Sequence, residues 1–116
     1  MIAVITGSRY WKSKTIIEGA LDYFEPSTII HGGAKGADII AAEFGKRAGM
    51  NVIQVPAEWD KHGKKAGMIR NRLMLDEYKP HMVLAFPMPN SIGTIGCINE
   101  AIKRQITIHI HYDTSL

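Results

Sequence analysis

The hydrophobic pattern of this chain alternates between two periods. Short apolar runs bounded by turn-forming residues predict strands at 2–6, 28–31, 52–55, 82–86 and 107–111. Between them, apolar residues recur every three or four positions and predict helices over 13–24, 36–48, 65–78 and 94–104. Ser13 is placed to cap the first helix and Gly49 to end the second, while residues 57–63 are expected to be irregular.

Strands that alternate with helices favour a parallel sheet covered by helices on both faces, an α/β three-layer sandwich in one domain over residues 1–116. Right-handed crossovers between five parallel strands are most simply arranged in the strand order 3-2-1-4-5. The order reverses between the first and fourth strands, and sheets of this kind bind ligands in the crevice at that point. The pattern therefore predicts a ligand site at the carboxyl ends of those two strands.

Composition narrows the class of protein and of ligand. With 116 residues, 46% of them hydrophobic, the chain is expected to fold around one core. A formal charge of +3 favours an anionic ligand without requiring a polymer. Cys97 is the only cysteine, which suits a reducing compartment, and neither a signal peptide nor a membrane span is expected. We therefore expect a cytoplasmic protein.

Glycine, together with small polar or basic residues, recurs where the predicted strands end. Near glycine, a backbone amide can approach an anion without obstruction by a Cβ atom, and a basic side chain adds charge-assisted bonds. Next to helix N-termini this combination predicts phosphate binding. The candidate ligand-binding residues in these loops are Gly7, Ser8, Arg9, Gly32, Gly33, Lys35, Gly36, Asp38, Gly93 and Thr94.

These candidates also have purely structural interpretations. The glycines between residues 32 and 36 could form only a tight turn, and Asp38 could be a first-turn carboxylate favoured by the helix dipole. Arg9 could be an ordinary surface arginine, and Thr94 could be an N-cap. Because several such loops fall at the ends of successive strands, we favour the phosphate-binding interpretation.

Four segments carry a resemblance to a known family: TGSRYW, HGGAKGAD, PAEWDKHGKKAGMIRNRLML and GTIGCINEAI. They resemble the YspA-type, YpsA-related branch of the SLOG superfamily over most of the chain, from residue 2 to the final strand. The resemblance implies a Rossmann-like fold, a nucleotide or nucleotide-derived ligand and self-association into a homo-oligomer. It also implies that Arg70 and Asn71 point into the pocket, where an arginine suits phosphate and an asparagine suits a base edge or ribose hydroxyl.

A catalytic role has less support than binding. The superfamily includes the LOG phosphoribohydrolases, in which Gly-Thr is followed three residues later by an essential glutamate. Cys97 stands at that position here and is interpreted as a small packed hydrophobe, which leaves Asp38 and Glu100 as weak catalytic candidates. His109 and His111 alternate on the last strand without an evident third ligand, so we expect no metal and no cofactor.

Three functions stay open at this point. The favoured one is a binding module that captures a nucleotide-like molecule, such as ADP-ribose or an NAD derivative, to sense or sequester it. The second is a hydrolase acting on an N-glycosidic or phosphate bond. The third is a single-stranded DNA binder, since the superfamily also includes DNA-processing protein A. It would use the basic residues between 61 and 72 and Trp59, but a charge of +3 is modest for this, and we expect neither nucleic acid nor a membrane as partner.

Overall fold

The computed structural model describes residues 1–114 and contains five strands and five α-helices within them. The strands are β1 (Ile2–Gly7), β2 (Thr28–His31), β3 (Asn51–Gln54), β4 (Met82–Phe86) and β5 (Thr107–Ile110). The helices are α1 (Lys14–Phe24), α2 (Ala37–Arg47), α3 (Trp59–His62), α4 (Ala66–Tyr78) and α5 (Ile92–Lys103), with a 3-10 turn at Gly63–Lys65. The predicted domain over 1–116 includes residues 115 and 116, which lie outside the described part.

The five strands form one parallel sheet in the order β3-β2-β1-β4-β5. Val4 on the central strand β1 aligns with Ile30 on β2 and with Val83 on β4. The prediction of an α/β Rossmann-like fold with strand order 3-2-1-4-5 is therefore confirmed. The sheet reverses its order between β1 and β4, which fixes the place of the crevice.

Two hydrophobic clusters lie on opposite faces of the sheet. On one face α1 and α2 bury Ile17, Leu21 and Ala41 against alternate residues of the strands. On the other face α4 and α5 bury Met74 and Cys97 against the intervening residues. All residues of β4 and most of β1 are buried, as expected for strands covered on both sides.

The orientation of α4 differs from what its apolar spacing predicts. That spacing predicts a buried face formed by Ala66, Ile69 and Leu73, and Ala66 is buried, but Ile69 and Leu73 are 37% and 43% exposed. Asn71 and Met74 are buried instead. A helical period assigns the buried face to apolar residues, but Asn71 can be buried because its amide hydrogen-bonds inside the protein.

The remaining differences concern the ends of elements. The segment 57–63, predicted to be irregular, contains the four-residue helix α3. Helix α5 begins at Ile92, two residues earlier than predicted, so that Gly93 and Thr94 lie in its first turn. Ser13 occupies the N-cap of α1 as predicted, although its side chain makes no capping hydrogen bond. Within residues 1–114, every helix is too short or too polar to cross a bilayer.

Candidate functional site

A cleft of about 440 Å³ opens at the carboxyl ends of β1 and β4. Residues from the loops after β1, β2 and β4 line it, together with residues from α2, α4 and the first turn of α5. Among the predicted site residues, those lining the cleft are Gly7, Ser8, Arg9, Gly32, Asp38, Arg70, Asn71, Gly93 and Thr94. Gly33, Lys35, Gly36 and Glu100 are outside the lining.

The end of β1 is fixed by close backbone packing. A Cβ atom on Gly7 would lie 2.5 Å from the Ala37 Cβ and 2.9 Å from the Phe86 oxygen, so only glycine fits without a shift. The Ser8 amide donates to Phe86 O at 3.0 Å, and Ser8 O accepts from the amide of Ala37 at 3.1 Å. Ser8 Oγ accepts from the Tyr10 amide at 3.0 Å. The segment therefore holds β1, β4 and α2 in register at the floor of the cleft.

The glycine loop after β2 turns its amides inward. Asp38 Oδ2 accepts hydrogen bonds from the amide of Gly32 at 3.0 Å and from that of Ala34 at 3.3 Å. The amide of Gly33 donates to His31 Nδ1 at 3.0 Å. Gly36, with φ of +78°, packs against the backbone of the β1 loop, where an added Cβ would lie 2.6 Å from Arg9 O. In this conformation these amides have partners within the protein.

Asp38 is the acceptor that organises this loop. It lies in the first turn of α2, is only 5% exposed and lines the cleft. Burial raises the pKa of Asp38 to about 6, against the opposing effects of the Ala34 and Gly32 amides and of the Arg70 charge. Burial, with smaller effects of Lys46 and Arg70, lowers the pKa of the neighbouring His31. A neutral His31 agrees with its Nδ1 accepting the Gly33 amide.

Arg70 and Asn71 connect the two sides of the cleft. Arg70 Nη1 donates to Gly32 O at 3.0 Å, and its Nε donates to Asn71 Oδ1 at 3.0 Å. Asn71 Nδ2 in turn donates to Gly93 O at 3.3 Å. The pair therefore ties the loop after β2 to the start of α5. Within the described chain, Nη2 of Arg70 donates to no residue, so this one nitrogen of the guanidinium can donate to a ligand.

The first turn of α5 presents hydrogen-bond donors that lack acceptors. None of residues 1–114 accepts from the amides of Gly93 and Thr94. Ser91, at the N-cap position, does not cap the helix, because its Oγ accepts from the Met88 amide at 3.0 Å. Thr94 is only 4% exposed, lines the cleft, and its hydroxyl has no partner in the same part of the chain. Such a helix N-terminus attracts negative charge.

Two aromatic side chains stand at the rim. Trp59 and Tyr10 both line the cleft and are largely exposed, and the Arg9 guanidinium lies 5.9 Å from the centre of the Tyr10 ring. Trp59 is 59% exposed, so it does not serve as an aromatic cover for the core. Tyr10 was not among the predicted site residues, although it directly follows Arg9 and could have been included on that ground.

The Glu100 carboxylate takes part in an ion-pair network outside the cleft lining. Its carboxylate contacts Arg104 Nη1 at 2.9 Å, Lys103 Nζ at 3.2 Å and Arg72 Nε at 3.3 Å. The hydrogen bond from Arg104, with those from Lys103 and Arg72, lowers the pKa of Glu100 to about 2. This carboxylate is therefore ionised at neutral pH and joins α4 to α5.

Cys97, His109 on β5 and His111, which directly follows that strand, pack against other residues. Cys97 is fully buried in the core beneath α5, and burial raises the pKa of its thiol to about 11. The rings of His109 and Phe24 lie 4.5 Å apart, and His111 stacks on Phe86 at 5.3 Å. Within residues 1–114, no group of three or more histidine, cysteine or acidic residues could hold a metal ion.

Comparisons with known proteins agree with the fold and with the resemblance. The family model YAcAr, described as the YspA, cpYpsA-related SLOG family, matches residues 1–62. The Gene 61 protein of Mycobacterium phage D29 is 41% identical over 115 residues, which cover 90% of this chain and 91% of the phage protein.

The fold is also found in a larger protein. The X-ray structure of DNA processing protein A (DprA) from Streptococcus pneumoniae matches with a TM-score of 0.75 over 93% of this chain, at 18% sequence identity. The match covers 49% of the DprA chain, so this chain spans about half the length of that protein. At this identity the likeness concerns the fold.

Proposed function

This chain belongs to the YspA, cpYpsA-related SLOG family, and on that premise we propose that its cleft binds a nucleotide or nucleotide-derived small molecule. The observation that carries the proposal is the start of α5, where Gly93 and Thr94 line the cleft and their amides have no acceptor in residues 1–114. A phosphate group placed there would accept from both amides and from the Thr94 hydroxyl, and the helix dipole would favour its charge.

The rest of the cleft suits the other parts of a nucleotide. Arg70 lines the cleft, and its Nη2, which is not used by Gly32 or Asn71, can donate to a second phosphate oxygen. Trp59 and Tyr10 at the rim offer flat apolar surfaces for a base. A volume of about 440 Å³ lies within the range of small-molecule sites. ADP-ribose or an NAD derivative combines these groups, and the proposed role is to sense or sequester such a molecule.

Binding without turnover is the form of the proposal that the carboxylates support best. Cys97 stands where the LOG enzymes carry their glutamate, and it is buried with a protonated thiol at neutral pH. Glu100 is held by three basic side chains outside the cleft lining. Asp38 is the carboxylate that lines the cleft, so a hydrolytic activity would have to use Asp38.

Two further points stay untested. We expected no nucleic-acid partner, but the chain shares its fold with a DNA-processing protein, which does not fit that expectation. Trp59 is also exposed and is followed by basic residues, so single-stranded DNA belongs in any ligand test. Self-association into a homo-oligomer also stays a prediction, which light scattering on the purified chain would check.

Calorimetric titration with ADP-ribose tests the proposed phosphate site through Gly93. Gly93→Pro removes one amide donor at a helix position where proline is tolerated, whereas Gly93→Ala keeps the donor and adds a Cβ into open space. We expect Gly93→Pro to lose about tenfold or more in affinity, as for one charge-assisted hydrogen bond, and Gly93→Ala to bind like the wild type.

Equal affinities of the two Gly93 variants, with equal unfolding midpoints, would place the phosphate elsewhere. Adenosine, which lacks phosphate, is the ligand control and should bind both variants alike. A short oligothymidylate serves as the third ligand. If it bound more tightly than ADP-ribose, with a steep dependence on salt, the single-stranded DNA alternative would replace this proposal.

A further inference from the structure

The cleft that is proposed to take an anion already contains a buried carboxylate. Asp38 is 5% exposed and lines the same cleft as Gly93 and Thr94. Its Oδ2 accepts hydrogen bonds from two backbone amides, those of Gly32 and Ala34. The carboxylate is therefore stabilised by dipoles and by a charge at longer range, an arrangement that is sensitive to any further charge placed in the cleft.

The charged and titratable groups around Asp38 come from several elements. Arg70 on α4 attracts it, and the same guanidinium is fixed on Gly32 O and Asn71 Oδ1. His31 at the end of β2 is neutral at pH 7, since its pKa is lowered, and the Cys97 thiol beneath α5 is protonated. Lys46 influences His31, while Arg9 and Lys35 lie at the surface. Arg70 is thus the cation that Asp38 and a bound phosphate would share.

We propose that binding of a phosphorylated ligand in this cleft is coupled to the uptake of a proton by Asp38, so that affinity decreases as pH rises. The inference rests on the proposed function. The ligand phosphate would engage Arg70 and add negative charge near Asp38, and both changes disfavour the ionised carboxylate. The proton bonds to a carboxylate oxygen, and no other bond forms or breaks.

The pH range in which affinity changes follows from the pKa of Asp38 in the protein without ligand. With its pKa raised to about 6, Asp38 is mostly ionised at pH 7.5 and half protonated near pH 6. Because binding raises this pKa further, Asp38 takes up part of a proton when the ligand binds at pH 7.5 and little at pH 5. Affinity should therefore fall about tenfold between pH 6 and pH 8, a mean slope of about half a proton per bound ligand.

The test is calorimetric titration with ADP-ribose, whose pyrophosphate charge does not change between pH 5.5 and pH 8. Titrations at pH 7.5 in two buffers of different ionisation enthalpy, HEPES and imidazole, give the number of protons taken up. The expected value is about half a proton for the wild type and none for Asp38→Asn, which keeps an oxygen for the Gly32 and Ala34 amides. Asp22→Asn, on the exposed face of α1, changes the net charge equally and should take up as many protons as the wild type.

The outcomes separate this inference from the proposed function. Binding with equal heats in both buffers overturns the proton coupling and leaves the nucleotide site standing. Binding that strengthens with rising pH also overturns it, since Asp38 would then accept from the ligand as a carboxylate. Absence of ADP-ribose binding at every pH overturns the proposed function and this inference with it. If Asp38→Asn does not fold, the two-buffer measurement on the wild type decides alone.

Discussion

The loop after β2 and the start of α5 both contain glycine, but their backbone amides differ in whether they are hydrogen-bonded within the protein. Each places glycine beside a helix N-terminus at the same cleft. In the loop, the amides of Gly32 and Ala34 donate to Asp38, whereas those of Gly93 and Thr94 find no acceptor in residues 1–114. The difference lies in the first turn of each helix, which holds an aspartate in α2 and no acidic residue in α5. A glycine pattern predicts that a ligand can approach the backbone closely. Whether the backbone amides can bind that ligand depends on whether a nearby carboxylate already accepts from them.

The largest effect expected from this comparison is on stability at Gly36. In Gly36→Ala, the new Cβ would lie 2.6 Å from Arg9 O at a φ of +78°, so both steric overlap and backbone strain oppose folding. We expect a loss of about 3 kcal/mol or more in the free energy of unfolding, measured with urea. Gly49→Ala, at a φ of +81° in open space, is the matched control and should lose only about 1–2 kcal/mol.

The second effect is the pH dependence of stability that Asp38 causes. Its folded pKa of about 6 lies above the ordinary 3.8, so its contribution is fully present below about pH 4 and is lost as pH rises through 6. The free energy of unfolding of the wild type should therefore fall between pH 4 and pH 7.5 by about 2–3 kcal/mol relative to Asp38→Asn. Parallel pH profiles for the two proteins, from urea unfolding, would contradict the raised pKa.

The third effect concerns the residue that links the two regions. Arg70→Ala should weaken ADP-ribose about ten- to hundredfold, because it removes a charge-assisted donor and releases Gly32 O. The affinity for adenosine, which lacks phosphate, should decrease much less. Lys64→Ala removes an exposed positive charge nearby and should change neither affinity. Similar small losses for Arg70→Ala and Lys64→Ala in the same titrations would remove Arg70 from the site.

The smallest effect is expected at Thr94. Thr94→Val replaces the hydroxyl with a methyl group of similar volume and keeps the amide, so only the hydrogen bond from the hydroxyl to phosphate is lost. Affinity for ADP-ribose should decrease about two- to tenfold. Ser91→Ala is the comparison, since the Ser91 hydroxyl accepts from Met88 and does not cap α5. An effect of Ser91→Ala on affinity as large as that of Thr94→Val would mean that the loop before α5, and not its first turn, determines binding.

The sheet could be predicted from sequence because its signals are local. Strands β2 and β4 were predicted with their observed bounds, since turn residues such as Gly32 and Pro87 limit their apolar runs. The buried face of α4 could not be predicted, because the burial of Asn71 depends on Gly93 O, which follows it by 22 residues. The short helix α3 was missed because four polar and aromatic residues carry no recognisable period.

The position of the cleft was predicted correctly from the reversal of strand order between β1 and β4. Which backbone amides are hydrogen-bonded within the protein could not be deduced. Asp38 was considered as a ligand residue or as a first-turn carboxylate, and the phosphate-binding interpretation of the preceding loop required that its amides be free. Whether a carboxylate reaches back to Gly32 depends on loop backbone angles, such as the positive φ of Gly36, that the sequence does not specify. By contrast, the presence of Arg70 and Asn71 in the cleft lining agrees with what the family resemblance implied.

The burial of β1 and β4 on both faces also has a kinetic consequence. Their amide hydrogens can exchange with solvent only through openings that disrupt both hydrophobic clusters, so they should be the last to exchange with deuterium. The rim residues Trp59 and Tyr10 are largely exposed and lie outside both clusters, so they should exchange early. The cleft thus stands at a boundary between the slowest and the fastest amides of the chain, and a bound ligand would reveal itself as new protection at Gly93 and Thr94.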